Sequence, residues 1–530
     1  MKRGYVPPEQ PFRHRDHARP RTRREFIAQG FLGGLGAVMG GPALSLLSRP
    51  ASALDIAPPP LCAVGPAGNN KIPFICVDLA GGANIAGSNV LIGKRGGQLD
   101  FLSTAGYSKQ GLPGDMVPAV SAAADGLTDF VDTTLGLAFH ADSAMLRGIL
   151  ERAPSAAAAT NGAVIPARSQ NDTGNNPHNP MYGISRAGQN GLGARGELLA
   201  LIGSQSSLSG GNSMAPASMI DPEIRPTKVD RPSDATGLID LGGLLGGTLS
   251  ETDNVQLMEA VYRISQLKMQ TVSTGTPDDT VLKNKLLCAY AQSADLAERF
   301  GSGPGVLDPT DASDNGRIVG PGGIFSAEEF NASDANGREF RKTASIMKLV
   351  IDGYAGAGTI TMGGYDYHTG DRVTGEDRDL RAGRCIGACL EYAALMNKPL
   401  MIYVVSDGSV FSNGMIDPAV GKGVWTGDNQ QTAAAFFLVY NPAGRTALYQ
   451  SPNTDIFMHQ QLGWMRDSGD VETGSSPAAN NVNALVDMVI LNYMALHGEQ
   501  GLYASLFPVN SLGTDLDRWI AFEEVVNGTL

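Results

Sequence analysis

Asp366-Tyr367-His368 sets a carboxylate and an imidazole two residues apart, so in an extended segment both side chains point to the same side of the chain. Two further carboxylates follow apolar runs: Asp78 after Ile72-Pro73-Phe74-Ile75-Cys76-Val77, and Asp407 after Pro399 to Val405. Carboxylates and an imidazole converging on one point make a metal site. Hard oxygen donors suit Mg²⁺, Mn²⁺ or Ca²⁺, and a mixed oxygen and nitrogen set suits Zn²⁺. The same residues also serve plain structure, because Asp and Gly after a strand make turns. The polar stretch from Arg168 to Pro180 adds Asp172, Thr173 and His178 as pocket residues. A bound metal would lower the pKa of a hydroxyl there and replace a general base.

The elements that must position these groups are readable from periodicity. Short buried apolar runs at 72–77, 163–165, 358–362, 399–405 and 433–440 read as strands. Helical spacing at about 135–152, 377–396 and 480–497 alternates with them, and 251–300 reads as two helices in succession. Buried strands alternating with amphipathic helices predict an α/β fold, a mostly parallel central sheet with helices on both faces. In such sheets ligands bind beyond the carboxyl ends of the strands, where Asp78, Asp366 and Asp407 are expected. Residues 72–530 read as a single α/β domain carrying a Gly/Ser/Asn-rich insertion at about 166–250. Two similar acidic stretches, 311–317 and 331–338, read as solvated turns, since neither has the alternating spacing of a calcium loop.

Other chemistries leave no mark. No Walker loop is present, and Gly81 to Gly87 lacks the glycine spacing and the acidic partner of a dinucleotide loop, so neither nucleotide nor flavin is expected. Three tryptophans and no basic–aromatic stripe argue against nucleic acid. His140 and His459 stand alone; His459 follows Asp455 in a polar segment and is a candidate to complete a metal site. The five cysteines form no paired C-x-x-C pattern, and Cys385 and Cys389, four apart on one helix face, read as small buried residues or a disulfide.

The first 53 residues carry an address. Thr22-Arg23-Arg24-Glu25-Phe26-Ile27 fits the twin-arginine export signal, a Gly/Ala-rich apolar run follows from Phe31 to Leu47, and Ala51-Ser52-Ala53 offers a cleavage site. The apolar run is short for a membrane span, which takes about 20 residues, and no later segment is long enough. The expectation is a periplasmic or secreted protein, exported folded, with the twin-arginine translocase as its partner during export. Residues 54–71 form a Pro/Ala/Gly-rich lead-in. Without the leader the chain has 31 basic and 50 acidic residues, a net charge of −19 that disfavours nucleic acid and anionic membranes.

These residues carry a family resemblance. Gly364-Tyr365-Asp366-Tyr367-His368 resembles the G-[FW]-D-x-H motif of the bacterial family called domain of unknown function 1501, of the alkaline-phosphatase-like (sulfatase-like) superfamily. Val77 to Asn84 is similar to its opening L-x-G-G-A-D strand and loop, Val405-Ser406-Asp407-Gly408 falls at its S-E-F-G-R, and Gly427-Asp428-Asn429 at its G-[TN]-D-H. The resemblance implies an alkaline-phosphatase-like fold and a metal-dependent hydrolase of small phosphate- or sulfate-type esters. It implies Asp78, Asp366, His368, Asp407 and Asp428 as metal ligands and Ser169 as nucleophile, where the family has S-H-F. Departures are plain: Asn84 stands for the family's Asp, Asp407 for its Glu, Gln170 for a His, and Asn429 for the His of its Asp-His pair. Asn84 and Asn429 are therefore pocket residues lacking the anionic or imidazole ligand. A two-metal clamp is weakened by those exchanges, and the alternative is a non-catalytic relative serving as an exported assembly or secretion-associated factor.

Overall fold

Apolar, β-branched and glycine-interrupted runs build the centre of the molecule as strands. The structure, a computed structural model, describes residues 59, 70–118, 130–169, 176–239, 251–273, 275, 277–300, 304–311, 317–451 and 459–530. The leader, most of the lead-in, Asp172 and Thr173 lie outside the described residues. In chain order the strands that matter are β1 (Phe74–Gly82), β2 (Thr160–Pro166), β3 (Leu199–Gly203), β4 (Thr227–Lys228), β5 (Ala355–Asp366), β6 (Leu400–Ser406), β7 (Ser409–Phe411), β8 (Gly427–Asn429) and β9 (Ala434–Tyr440). Seven of them form one sheet in the order β2-β9-β6-β1-β5-β3-β4, and β7 pairs with β8 in a separate antiparallel ribbon. All pairings in the large sheet are parallel except those of β9, which runs against both neighbours. The expected α/β architecture with a mostly parallel sheet is what the structure has.

The helices used below are α1 (Ala144–Arg152), α2 (Met181–Arg186), α3 (Glu251–Thr271), α4 (Asp279–Phe300), α5 (Ala335–Ile351), α6 (Val373–Leu395) and α7 (Val482–Ala495). Of these, α1, α2, α5, α6 and α7 lie in one compact unit with the sheet and flank it. Phe74, Cys76, Ala357, Met401, Tyr403 and Phe437 pack with the apolar α7 and with α2 in one core. On the other face α5 presses on Gly358, where an added Cβ would stand 2.7 Å from Ile346 and 2.9 Å from Val350. Helices α1 and α6 touch backbone to backbone through Gly148 and Gly383, an approach that any side chain would block.

Three differences from the sequence reading have physical causes. First, β1 continues four residues past Asp78, because Gly81 takes φ +109° and a bulge between Leu79 and Gly81 keeps the strand paired to β5. Second, β5 continues through Gly363-Gly364 to Asp366 instead of stopping at Met362. Third, the polar stretch 166–250 contributes β3 and β4 to the central sheet: the apolar island around Leu201 and Ile202 is a sheet strand buried beside β5. Asp334, in the second acidic stretch, caps α5 by accepting from Gly337 N at 2.8 Å. The chain divides into two compact units, the larger made of Pro66–Leu238 and Gly305–Leu530. The helical pair α3 and α4 belongs to the other, where Tyr262, Leu287 and Ala291 make a small core of their own.

Cys76, Cys385 and Cys389 are buried free thiols, so the 385/389 pair is apolar packing and not a disulfide; Cys288 is disulfide-bonded.

Candidate metal centre

Asp366, His368 and Asp428 meet: each offers one ligand atom, and these atoms lie within 4.8 Å of one another. The meeting is built from strand ends. Gly82 pairs with Asp366 across the β1–β5 ladder. An added Cβ on the same Gly82 would lie 3.1 Å from the Ser409 carbonyl, which shows how closely the β7–β8 ribbon abuts β1. Asp428 stands opposite Val410 in that ribbon. Ser406 ties the junction, donating to Gly81 O at 2.6 Å and accepting from Ala83 N at 2.7 Å. Asp366 and Asp428 thus approach from either side of the β1 terminus.

Alternation along the chain does the rest. Tyr367 is buried, whereas Asp366 is exposed and His368 half-exposed. The Tyr367 hydroxyl accepts from Asn84 N at 2.9 Å and donates toward the Asp379 carboxyl at 3.5 Å. An added Cβ on Gly375 would lie 2.7 Å from the Tyr367 ring, so that glycine makes room for it. With Tyr367 anchored inward, its two neighbours are turned outward together. His368 Nδ1 lies 2.6 Å from Asp366 Oδ1. A cation held by both of these atoms would take the place of the proton that otherwise bridges them.

The other expected ligands are elsewhere. Asp78 is buried on the sheet face and not at a strand end: its carboxylate accepts from Asn212 N (2.8 Å), Ser213 N (2.9 Å), Ser213 Oγ (2.7 Å) and Thr361 Oγ1 (3.1 Å). It therefore holds the 209–213 loop down, and its lone pairs are spent there. Asp407 is also buried, accepting from the Asn176 amide with His178 Nδ1 at 3.9 Å. Neither joins the triad, because both carboxylates are directed into loops that cover the sheet. His178 is fully enclosed, and burial pushes its pKa down to about 3, which keeps it neutral. Ser169 is buried with no hydrogen-bond partner for its Oγ among the described residues, and it is not part of the triad. Asn429 spends its side-chain oxygen on Gln431 N (2.8 Å) and Thr432 N (2.9 Å), a turn that shapes the end of β8. Asn84 acts through its backbone, whose carbonyl accepts from Asn89 Nδ2 at 2.6 Å. His459 is buried against the Ile520 carbonyl and is not part of the triad, and Asp455 lies outside the described residues; His140 bridges Met116 O and Asp142 N.

Two residues behind the triad were not anticipated. Asp379 lies wholly buried on α6, receiving Asn89 Nδ2 at 2.8 Å, and burial pushes its carboxyl up to about 7 against the pull of Asn89 and Arg372. Asn89 in turn accepts from Ser143 Oγ at 2.6 Å at the start of α1. Spacing carried a signal: Gly375, Asp379, Ala382 and Ile386 form one buried stripe of α6, and Asp379 occupies a core position in it. No family model, curated protein or solved structure matches this chain. Among the described residues, no helix is long and apolar enough to cross a membrane.

Proposed function

We propose that this is an exported protein of alkaline-phosphatase-like build that holds one divalent cation at Asp366, His368 and Asp428 and hydrolyses small phosphate- or sulfate-type esters. The observation that carries the reading is the convergence of two carboxylates and an imidazole within 4.8 Å at an open strand end. The donor set fits Zn²⁺ or Mn²⁺ best, and three protein ligands leave a position for substrate, as catalytic sites do. A bound cation there supplies Lewis-acid polarisation of an ester oxygen and activation of water or a hydroxyl. This chain's own residues orient it: Asp366 holds the His368 ring, and Tyr367 turns both outward. The twin-arginine leader motif supports export, and a disulfide-bonded Cys288 fits an oxidising compartment.

A second reading draws on the burial of Asp78 and Asp407. With those carboxylates engaged in loops, no two-metal set is assembled among the described residues, which favours a non-catalytic exported assembly or secretion-associated factor. Metal analysis of the exported protein, with turnover of aryl phosphate and aryl sulfate esters, separates the two. One bound metal with ester hydrolysis, both lost in Asp366→Ala, supports the hydrolase. Metal without turnover supports the non-catalytic factor, and no metal with no turnover defeats the hydrolase.

A further inference from the structure

The chain has five cysteines, Cys62, Cys76, Cys288, Cys385 and Cys389. Three of them are accounted for as free thiols: Cys76 and Cys389 are 0% exposed and Cys385 is 1% exposed. Burial raises all three thiols well above the ordinary range, Cys385 to about 12, because a thiolate would lose its hydration there. With neither access nor thiolate, they take no part in disulfide exchange. Cys288 differs. It is half-exposed on α4 and is disulfide-bonded. The structure holds a single chain, so the partner sulfur belongs to that chain. Cys62, which lies outside the described residues, is the one cysteine left.

The place of Cys288 gives such a bond a purpose. Its neighbour Leu287 packs with Tyr262 and Ala291 in the small core of α3 and α4. A core of that size buries little apolar surface, and small units with little to bury are commonly held by crosslinks. At the other end, cleavage after Ala53 makes Cys62 an early residue of the mature chain, within the Pro/Ala/Gly-rich lead-in to β1. A link between positions 62 and 288 also restricts the unfolded chain strongly, since the constraint grows with the length enclosed.

We propose that Cys62 and Cys288 form a disulfide clasp, made after export, that fastens the start of the mature chain to helix α4. The pairing stands on the cysteine count; only its timing rests on the export reading, and neither depends on the cation site. The oxidant is a dithiol–disulfide protein of the receiving compartment. One of the two thiolates attacks its disulfide, forming a mixed disulfide and releasing one oxidant sulfur as thiolate. The second cysteine then attacks the first cysteine's sulfur and releases the other. The clasp gives up two protons and two electrons, and the oxidant leaves as a dithiol.

The test counts thiols in the exported chain. Unfolded in denaturant without reductant, it should take up three iodoacetamide groups, at Cys76, Cys385 and Cys389, and five after reduction. Tryptic digestion without reductant should yield one species joining residues 54–71 to 286–299, lost on reduction. A chain kept in the cytoplasm by Arg23→Lys with Arg24→Lys should take up five groups without reductant. Five labels on the exported chain, or Cys288 linked to anything but Cys62, overturns the pairing. A clasp already present in the retained chain overturns the timing and leaves the pairing. Cys62→Ser, Cys288→Ser and the double variant should lower the melting midpoint by the same amount, because each breaks the one bond. Separate drops that add in the double variant would show the two residues acting independently and overturn the clasp.

Discussion

Asn89 donates its side-chain amide to the buried carboxyl of Asp379 at 2.8 Å, and Tyr367 points its hydroxyl at the same carboxyl from 3.5 Å. The pair thus lies behind the strand tail whose outward residues form the triad. It joins the loop after β1, the start of α1, helix α6 and the end of β5 through side chains that share hydrogen bonds. A buried carboxyl is held there because four elements each supply a polar group that would otherwise lack a partner.

Asp379 makes folding stability fall as pH rises. Its ordinary carboxyl value is 3.8 and burial raises it to about 7, so between these pH values the unfolded chain has released a proton that the folded chain keeps. The folded state therefore loses about 1.4 kcal/mol per pH unit over that window, ~4 kcal/mol in all, and none of this loss is present below pH 4. Burial of His178 and His497, both lowered to about 3, acts oppositely: stability present above 6.5 is lost as pH falls through that range. Those two are common to wild type and Asp379→Asn and cancel in the comparison. Denaturant unfolding from pH 4 to 8 should show the Asn variant gaining on wild type up to about pH 7 and level above it. A difference that is flat throughout would contradict the buried-carboxyl argument.

Removing a triad carboxylate should remove the cation. Asp366→Ala and Asp428→Ala are expected to weaken Mn²⁺ or Zn²⁺ binding by about a hundredfold or more, since each takes away one of three ligands. Asp407→Asn, whose carboxylate faces Asn176 and His178, should leave that affinity nearly unchanged. Titration calorimetry at fixed pH reads both, and an equal loss in Asp407→Asn would place the cation elsewhere.

Gly81→Ala should be severe. The residue sits at φ +109°, and its added Cβ would collide with the Tyr365 carbonyl. Positive φ and backbone contact together cost about 2–4 kcal/mol, which a thermal melt would register as a clear downward shift. The same strain falls on the bulge that aligns Gly82 with Asp366, so cation affinity should fall along with stability. Gly444→Ala, at φ +120° with no atoms near its Cβ, should cost less and leave cation binding intact.

Ser213→Ala removes a hydroxyl 2.7 Å from the fully buried Asp78 carboxylate. A hydrogen bond to a charged group in such a place is worth about 1.5–3 kcal/mol, so the midpoint of chemical denaturation should drop without loss of cation affinity. A drop in affinity would show that Asp78 acts on the triad after all.

Much of the framework was legible because burial writes itself into composition. The runs at 74–77, 400–405 and 434–440 are apolar at every position, as strands covered on both faces must be, and each lies inside an observed strand. Leu198 to Ile202 was readable only as an apolar island, since its five residues are bounded by Gly196-Glu197 and Gly203-Ser204 and carry no period long enough to separate strand from loop. The same limit hid the extension of β1 beyond Asp78. A glycine at positive φ and a bulge sustain that strand, and neither has a hydrophobic period.

The triad divides along the same line. Alternation within Asp366-Tyr367-His368 is a local property, so the shared direction of the carboxylate and the imidazole follows from the sequence itself. That Asp428 reaches them, while Asp78 and Asp407 turn into buried loops, depends on strand order and on which side chains cover which sheet face. Those relations join residues tens to hundreds of positions apart, and short-range spacing holds no record of them.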